Sequence, residues 1–321
     1  MNIKFLKCHG SSNHFILIDE EDDDYHLQDD EMSQLAIKLC NKDILGADGV
    51  LFFLSSNKGD ALMRIFNADG SEAEMCGNGI RCIARYGTEK FDKETLLIET
   101  LKSTYNVKHE DPLFENIQTY SVKIDNISKA TVDLPAKLEQ EHIDKTIPEL
   151  NKDLRFTALS LTNPHIVALV NDFDETLLQE VGVKANDMRS LFPRGVNVSF
   201  CIPRDDGSIF VGTYERGVGL TNSCGTAMSA SSIVMGLLEK HTFGTWMQVF
   251  NKGGMVRCKP ELSSNGLEVT LLGNATYVCE GEIAFARNSG EVRVVGMRTF
   301  TDEVKDYKEM LDFAGQIDLP T

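Results

Sequence analysis

The chain has 321 residues, room for two domains of the usual size of about 100 to 200 residues. Its 42% apolar and 25% charged content is an ordinary globular balance, which excludes disordered, collagen-like and coiled-coil classes. With 32 Lys and Arg against 49 Asp and Glu the net charge is -17, a field that repels phosphate backbones and anionic lipid, so neither nucleic acid nor a membrane is an expected partner and a small-molecule substrate is.

Short strands bounded by Gly, Asn or Asp are expected at Ile3 to Phe5, Phe15 to Ile18, Val50 to Leu54 and Leu62 to Phe66. The acidic run Asp19 to Asp24, with Asp29, Asp30 and Glu31, reads as a solvated loop and helix start. Helical patterns follow at Met32 to Cys40 and Ile80 to Tyr86, and 102 to 118 reads as an insertion of mixed charge. Further strands are expected at Ile166 to Val170, Val196 to Cys201 and Ile209 to Thr213, and helices at Thr226 to Leu238 and Asp302 to Phe313. No apolar run approaches the roughly 20 residues that span a bilayer, and Met1-Asn2-Ile3-Lys4 does not resemble a secretory signal. A cytoplasmic location is expected. The eight cysteines include no Cys-x-x-Cys pair, a distribution of reduced thiols rather than of a disulfide framework or a structural zinc site.

The two halves repeat one another. Cys76-Gly77-Asn78 and Cys224-Gly225-Thr226 each open a helical stretch. Asn67 and Glu215 stand at the end of a strand the same distance before each cysteine, and the strands starting at Gly49 and Asn197 are likewise in register. Asn13-His14-Phe15-Ile16 and Asn163-Pro164-His165-Ile166 form a further pair, two residues out of step. Two copies of one unit are expected, at 1–128, with 277–321 returning to it, and at 129–276.

The stretch after Cys224 is small or apolar nearly all round, so it is expected to be a buried helix whose first N–H groups need a partner other than bulk water. An anion satisfies them and meets the positive end of the dipole, and the same field lowers the pKa of an adjacent thiol. Two such helix starts offer a carboxylate nest flanked by two thiols. One thiolate can remove an α-proton while the opposite thiol delivers another, inverting the centre without a cofactor. The glycine run Gly77-Asn78-Gly79-Ile80-Arg81-Cys82 is not a nucleotide-binding pattern, and no metal-ligand spacing occurs. A Cys, His, Asp hydrolase fits the residue types but needs only one thiol. Cys8, Cys40, Cys82, Cys201, Cys258 and Cys279 read as core or edge thiols, and His9, His26, His109, His142 and His241 as ordinary surface or core histidines.

The run Asn67-Ala68-Asp69-Gly70-Ser71-Glu72 leading to Cys76-Gly77-Asn78-Gly79-Ile80-Arg81-Cys82 resembles the diaminopimelate epimerase family. His9-Gly10 to Asn13, Gly46-Ala47-Asp48-Gly49, Asn163-Pro164-His165, Arg194 to Asn197 and Glu215-Arg216-Gly217 support the likeness. It implies an α+β fold of two pseudo-symmetric domains, each a curled, mostly antiparallel sheet around a central helix. It also implies cofactor-independent interconversion of L,L- and meso-diaminopimelate, a step in lysine and peptidoglycan synthesis. On this reading Cys76 and Cys224 are the acid/base thiols, assisted by His165 and Glu215. Substrate contacts map to Asn13, Asn67, Asn163, Asn197, Glu215 and Arg216, and the reacting carboxylate to the backbones of Gly77, Asn78, Gly225 and Thr226. Members of that family commonly form homodimers. The chain departs from the family at His14, where Asp is usual, at Leu220, where Glu is common, at Ala227, where Gly is common, and in a longer tail, 288–321, with an amphipathic helix bearing Val304, Tyr307, Met310 and Leu311. A racemase of histidine or of a proline derivative would keep both thiols and change the distal pocket, although proline racemases usually have His where Asn78 stands. A non-catalytic amino-acid-binding module would keep only the nest.

Overall fold

A computed structural model describes residues 1–22, 25–264 and 266–316. Asp23 and Asp24 of the acidic run and 317–321 of the tail lie outside the described residues. The chain divides into two units, one of Met1–Val122 with Leu272–Met310, the other of Lys123–Leu271 with the chain end from Leu311. In order, the elements are β1 (Asn2–Gly10), β2 (Asn13–Asp19), α1 (Asp29–Leu39), β3 (Gly49–Leu54), β4 (Ala61–Asn67), β5 (Glu72–Ala73), α2 (Gly77–Phe91), β6 (Thr95–Glu99), β7 (Thr104–Glu110) and β8 (Thr119–Ile127). There follow β9 (Lys145–Ile147), β10 (Asn151–Ser160), β11 (Pro164–Leu169), α3 (Glu175–Asp187), β12 (Asn197–Pro203), β13 (Ile209–Glu215), β14 (Gly219–Thr221), α4 (Gly225–Leu237), β15 (Met247–Asn251), β16 (Gly254–Ser263) and β17 (Gly266–Asn274). The chain ends with β18 (Thr276–Ala286), β19 (Glu291–Thr299) and α5 (Thr301–Gly315).

The pairing inside each unit follows one plan. A hairpin comes first, β1 with β2 and β10 with β11. A parallel neighbour follows across a helical crossover, β2 with β3 over α1, and β11 with β12 over α3. Next come an antiparallel step, β3 with β4 and β12 with β13, and a short strand folded back, β5 and β14. The second helix of each unit leads to another parallel pairing, β4 with β6 and β13 with β15, and a final antiparallel step. Within each unit the pairing is therefore mixed and mostly antiparallel. β1 also pairs with β18, which pairs with β19.

The helices fall into two kinds. α1 buries only the stripe Met32, Leu35, Ala36 and Leu39, packed with Ile3, Ile16, Phe52 and Ile283, and α3 buries Leu178, Val181, Gly182 and Ala185 beside Phe156, Ile166 and Phe200. This is the spacing of amphipathic helices on a sheet face. α2 and α4 differ: α4 is buried at every residue from Gly225 to Gly236, and α2 from Gly77 to Arg85. α2 touches β1, β2, β3, β4, β6 and β7, and α4 touches β11, β12, β13, β15 and β16, so in each unit the strands wrap a central helix. No helix among the described residues is long and apolar enough to cross a membrane.

Two expectations are corrected. Within 102–118, Thr104–Glu110 is a strand paired with β6 and β8, with Tyr105 and Val107 buried between exposed Thr104, Asn106 and Lys108. Two inward side chains are too few for a periodic signal to stand out from the surrounding charge. The acidic run is not simply solvated either. Asp19 and Glu20 are buried, and the Lys90 ammonium pairs with Asp19 at 2.6 Å, Glu21 at 2.9 Å and Asp22 at 3.1 Å. Lys90, 71 positions after Asp19 and carried on α2, removes the repulsion that a run of like charges otherwise carries.

Candidate active site

In the first unit, Cys76 is the N-cap of α2, in extended conformation, with no side-chain cap and no acidic residue in the first turn. Its Sγ lies 3.7 Å from Asn13 Oδ1, which also accepts from Asn78 Nδ2 at 3.4 Å. Asn13 in turn donates through Nδ2 to Asp48 Oδ2 at 3.1 Å, the same carboxylate oxygen that receives the His14 backbone N–H at 2.7 Å. Because Asp48 accepts only, it fixes the Asn13 amide with its oxygen toward the thiol.

Behind this array Arg81 is fully buried. It donates to Gly77 O at 2.8 Å, Asn78 Oδ1 at 3.0 Å, Ser11 Oγ at 3.1 Å and Asn274 O at 3.1 Å. The turn between β1 and β2 approaches so closely that a Cβ on Gly10 would stand 2.8 Å from Arg81 Nη2 and from Asn78 O. Burial and the nearby Lys7 ammonium lower the His14 pKa, against the pull of Asp48. Asn67 is exposed at the end of β4 and donates to Ser71 Oγ at 3.0 Å.

The second unit repeats the arrangement with other side chains. Cys224 caps α4 in extended conformation, again without a side-chain cap or a first-turn acid, and is buried. Its Sγ lies 3.5 Å from Thr226 Oγ1 and hydrogen-bonds the Glu215 carboxylate. Burial raises the Glu215 pKa, opposed by that hydrogen bond and by Arg216. Asn163 donates to Thr226 Oγ1 at 3.2 Å, and its Oδ1 meets His165 Nε2 at 2.8 Å. The shorter contact assigns the proton to Nε2, leaving Nδ1 as a buried acceptor with no hydrogen-bond partner. Burial and Arg216 press the His165 pKa down to about 3, so the ring is neutral near pH 7. Asn197, opposite His165 in the parallel register, accepts the Arg216 backbone N–H at 2.8 Å. The Arg216 guanidinium is exposed and donates to Arg194 O at 3.1 Å.

The structure thus links Asn13, Cys76, Gly77 and Asn78 in one unit, and Asn163, His165, Asn197, Glu215, Arg216, Cys224 and Thr226, with Gly225 on the same helix start, in the other. Asp48 and Arg81 had been given no role by sequence. Arg81 carried a readable signal, since it falls three and four positions after Asn78 and Gly77 on a helix that is otherwise buried. Among the described residues no group of three or more His, Cys, Asp or Glu side chains is arranged to hold a metal ion.

A family model described as diaminopimelate epimerase matches residues 5–121 and 157–278. A diaminopimelate epimerase of Clostridium acetobutylicum is 45% identical over 317 residues, covering 98% of this chain and 95% of the relative. One from Enterococcus faecalis is 39% identical over 329 residues, covering 98% and 100%. Among solved structures, a Bacillus anthracis phenazine biosynthesis protein of the PhzF family superposes with a TM-score of 0.66 at 17% identity, covering 89% of this chain and 100% of that one. A hydroxyproline epimerase from Agrobacterium vitis gives 0.62 at 14% identity, covering 90% and 94%. At those identities the likeness concerns the fold. The thiol-bearing helix starts of both units lie inside the matched residues, and the chain belongs to the diaminopimelate epimerase family.

Proposed function

We propose that this chain interconverts L,L- and meso-diaminopimelate without a cofactor, Cys76 and Cys224 acting on opposite faces of the α-carbon. One observation carries the reading: in each unit a cysteine is the N-cap of a buried central helix whose first turn has neither a side-chain cap nor an acidic residue. Such a helix start stabilises a substrate carboxylate, and the charge that develops when the α-proton leaves spreads onto that carboxylate. The thiolate takes the α-proton to become a thiol, while the opposite thiol gives its proton to the carbon and becomes the thiolate, so protons and charge balance.

Glu215 accepts the Cys224 proton, a role that suits a carboxylate whose pKa burial has raised. His165, neutral near pH 7, assists thiol ionisation as a base. The Gly77, Asn78, Gly225 and Thr226 backbones hold the reacting carboxylate. Arg216 and Glu215 offer opposite charges to the distal ends of the substrate, and Asn13, Asn67, Asn163 and Asn197 complete its hydrogen bonds.

Proton NMR of L,L-diaminopimelate in heavy water, with purified protein and reductant, tests this. The meso isomer should accumulate with deuterium at the inverted centre. Faster racemisation of histidine, lysine or proline derivatives in parallel tubes would reassign the substrate, and exchange with none of them would leave only a binding module.

A further inference from the structure

The family match ends at residue 278, yet the chain returns to the site beyond it. The β1–β2 hairpin turns through Ser11 and Ser12, both left-handed, with φ of 52° and 60°. A two-residue turn of that kind favours Asn and Gly, because a side chain at positive φ is strained. Here three hydrogen bonds brace it. Asn274 Oδ1 accepts the Ser11 N–H at 2.7 Å, Arg81 donates to Ser11 Oγ at 3.1 Å, and Ser12 Oγ lies 3.0 Å from the hydroxyl of Tyr307.

Tyr307 belongs to α5 and is 5% exposed, with its ring edge-on to His9 at 4.2 Å, while His9 lies 4.8 Å from His14. His9 and His14 are the register pair flanking the turn. α5 itself is anchored one turn earlier. Arg85 of α2 donates two hydrogen bonds to Glu303, at 2.5 and 2.7 Å, and Glu303 accepts the Tyr277 backbone N–H at 2.9 Å. Met310, three residues past Tyr307, is fully buried. The residue that leaves the braced turn is Asn13, whose Oδ1 faces the Cys76 thiol.

We propose that α5 is a positioning element for the reaction, Tyr307 holding the Ser11–Ser12 turn so that Asn13 stays against Cys76. The inference rests on Cys76 being an acid/base group, and it makes Tyr307 a positioning residue that touches no reacting atom. Strained backbone persists only where its surroundings over-determine it, and small misplacements at a reacting centre cost large factors in rate.

The test is Tyr307→Phe, which removes one hydroxyl and keeps the ring. The variant should keep its far-UV circular dichroism and lose about tenfold in kcat/KM, mostly in kcat. The pH profile of Cys76 carbamidomethylation by iodoacetamide, followed by peptide mass spectrometry, should move to lower pH, since a loosened Asn13 accepts less well from the thiol. In a Ser12→Gly background, where positive φ carries no side-chain strain and the hydroxyl partner is gone, the same substitution should change kcat/KM less than twofold. A loss below twofold in the otherwise unmodified chain, or equal losses in both backgrounds, overturns the proposal. The alkylation profile does not depend on turnover. If it shifts while the unmodified protein epimerises no diaminopimelate, the bracing stands and the substrate reading falls.

Discussion

Cys76 and Cys224 differ from the other thiols in where their backbones stand. Burial pushes Cys40 up to about 12 and raises Cys8, Cys201 and Cys279 as well, which makes them poor nucleophiles and poor acids. Replacing either helix-start cysteine by Ala should therefore lower epimerisation by at least about a thousandfold with the fold intact, whereas Cys82→Ala, inside α2 and fully buried, should leave the chemistry nearly unchanged. NMR turnover assays on the three variants, with circular dichroism beside them, check this. His165 gives a separate, pH-based prediction. Its pKa near 3 in the folded chain lies below the ordinary 6.5, so below about pH 6.5 the unfolded chain takes up a proton that the folded chain refuses. Its contribution is complete above that pH and is lost as pH falls toward 3, a change on the order of a few kcal/mol. Urea unfolding at pH 7.5 and pH 4.5 should show a smaller loss of stability on acidification in His165→Gln than in the unmodified protein. An equal loss in the two proteins would place the acid sensitivity elsewhere. The placement of both thiols at helix starts was legible because each sits in a repeated Cys-Gly context. Asp48 was not, because its role depends on a partner that only folding brings near, Asn13 at 35 positions, and Arg81 was legible only toward Gly77 and Asn78, its bond to Asn274 spanning 193 positions.

At the scale of elements, strong periodicity was legible and weak periodicity was not. The helix starts at Gly77 and Gly225 and the strands from Gly49 and Asn197 lie where the repeat put them. β7 was missed for want of apolar residues. α3 was missed although its signals were present: Asp174 caps it, accepting from the Leu177 N–H at 2.9 Å, and Leu178, Val181 and Ala185 share a face. That helix packs tightly, since a Cβ on Gly182 would come within 2.2 Å of Tyr214 Cγ. Tyr214 precedes Glu215 on β13, so helix and site meet at one strand end. Gly182→Ala should destabilise the protein by about 1–3 kcal/mol through overpacking and slow turnover through Glu215, both measurable in urea titrations and initial rates. Lys90 makes a second element-scale case. With only 13% of its side chain exposed and three carboxylates around it, Lys90→Met should cost about 3–5 kcal/mol, because Asp19 is left buried without its cation. A midpoint shift in urea too small for 1 kcal/mol would show that the cluster is in effect solvated.

On the scale of the whole molecule, the informative feature is that one plan of pairings is used twice, with the thiols at corresponding places and different helpers around them. The first unit sets Asn13 and Asp48 near its cysteine, and the second sets Glu215 and Thr226 near its own. On the proposed mechanism the two thiols start each turnover in opposite protonation states, which this asymmetry suits. A repeat in a single sequence reveals the duplication, the pair Asn13 and Asn163 included, but the groups that differ between the copies, Asp48 and Glu215 among them, do not repeat. The division of labour predicts an isotope pattern. If one thiol removes the proton from one face and the other delivers from the opposite face, the delivering thiol has exchanged with heavy water before turnover begins. Early product should then carry deuterium at the inverted centre while recovered starting isomer stays protium until the reverse reaction matters. A single base serving both faces would instead return its proton to substrate and product alike. Mass spectrometry of both isomers over the first tenth of conversion separates these cases, and starting isomer that gains deuterium as fast as product forms would remove the assignment of complementary roles to Cys76 and Cys224.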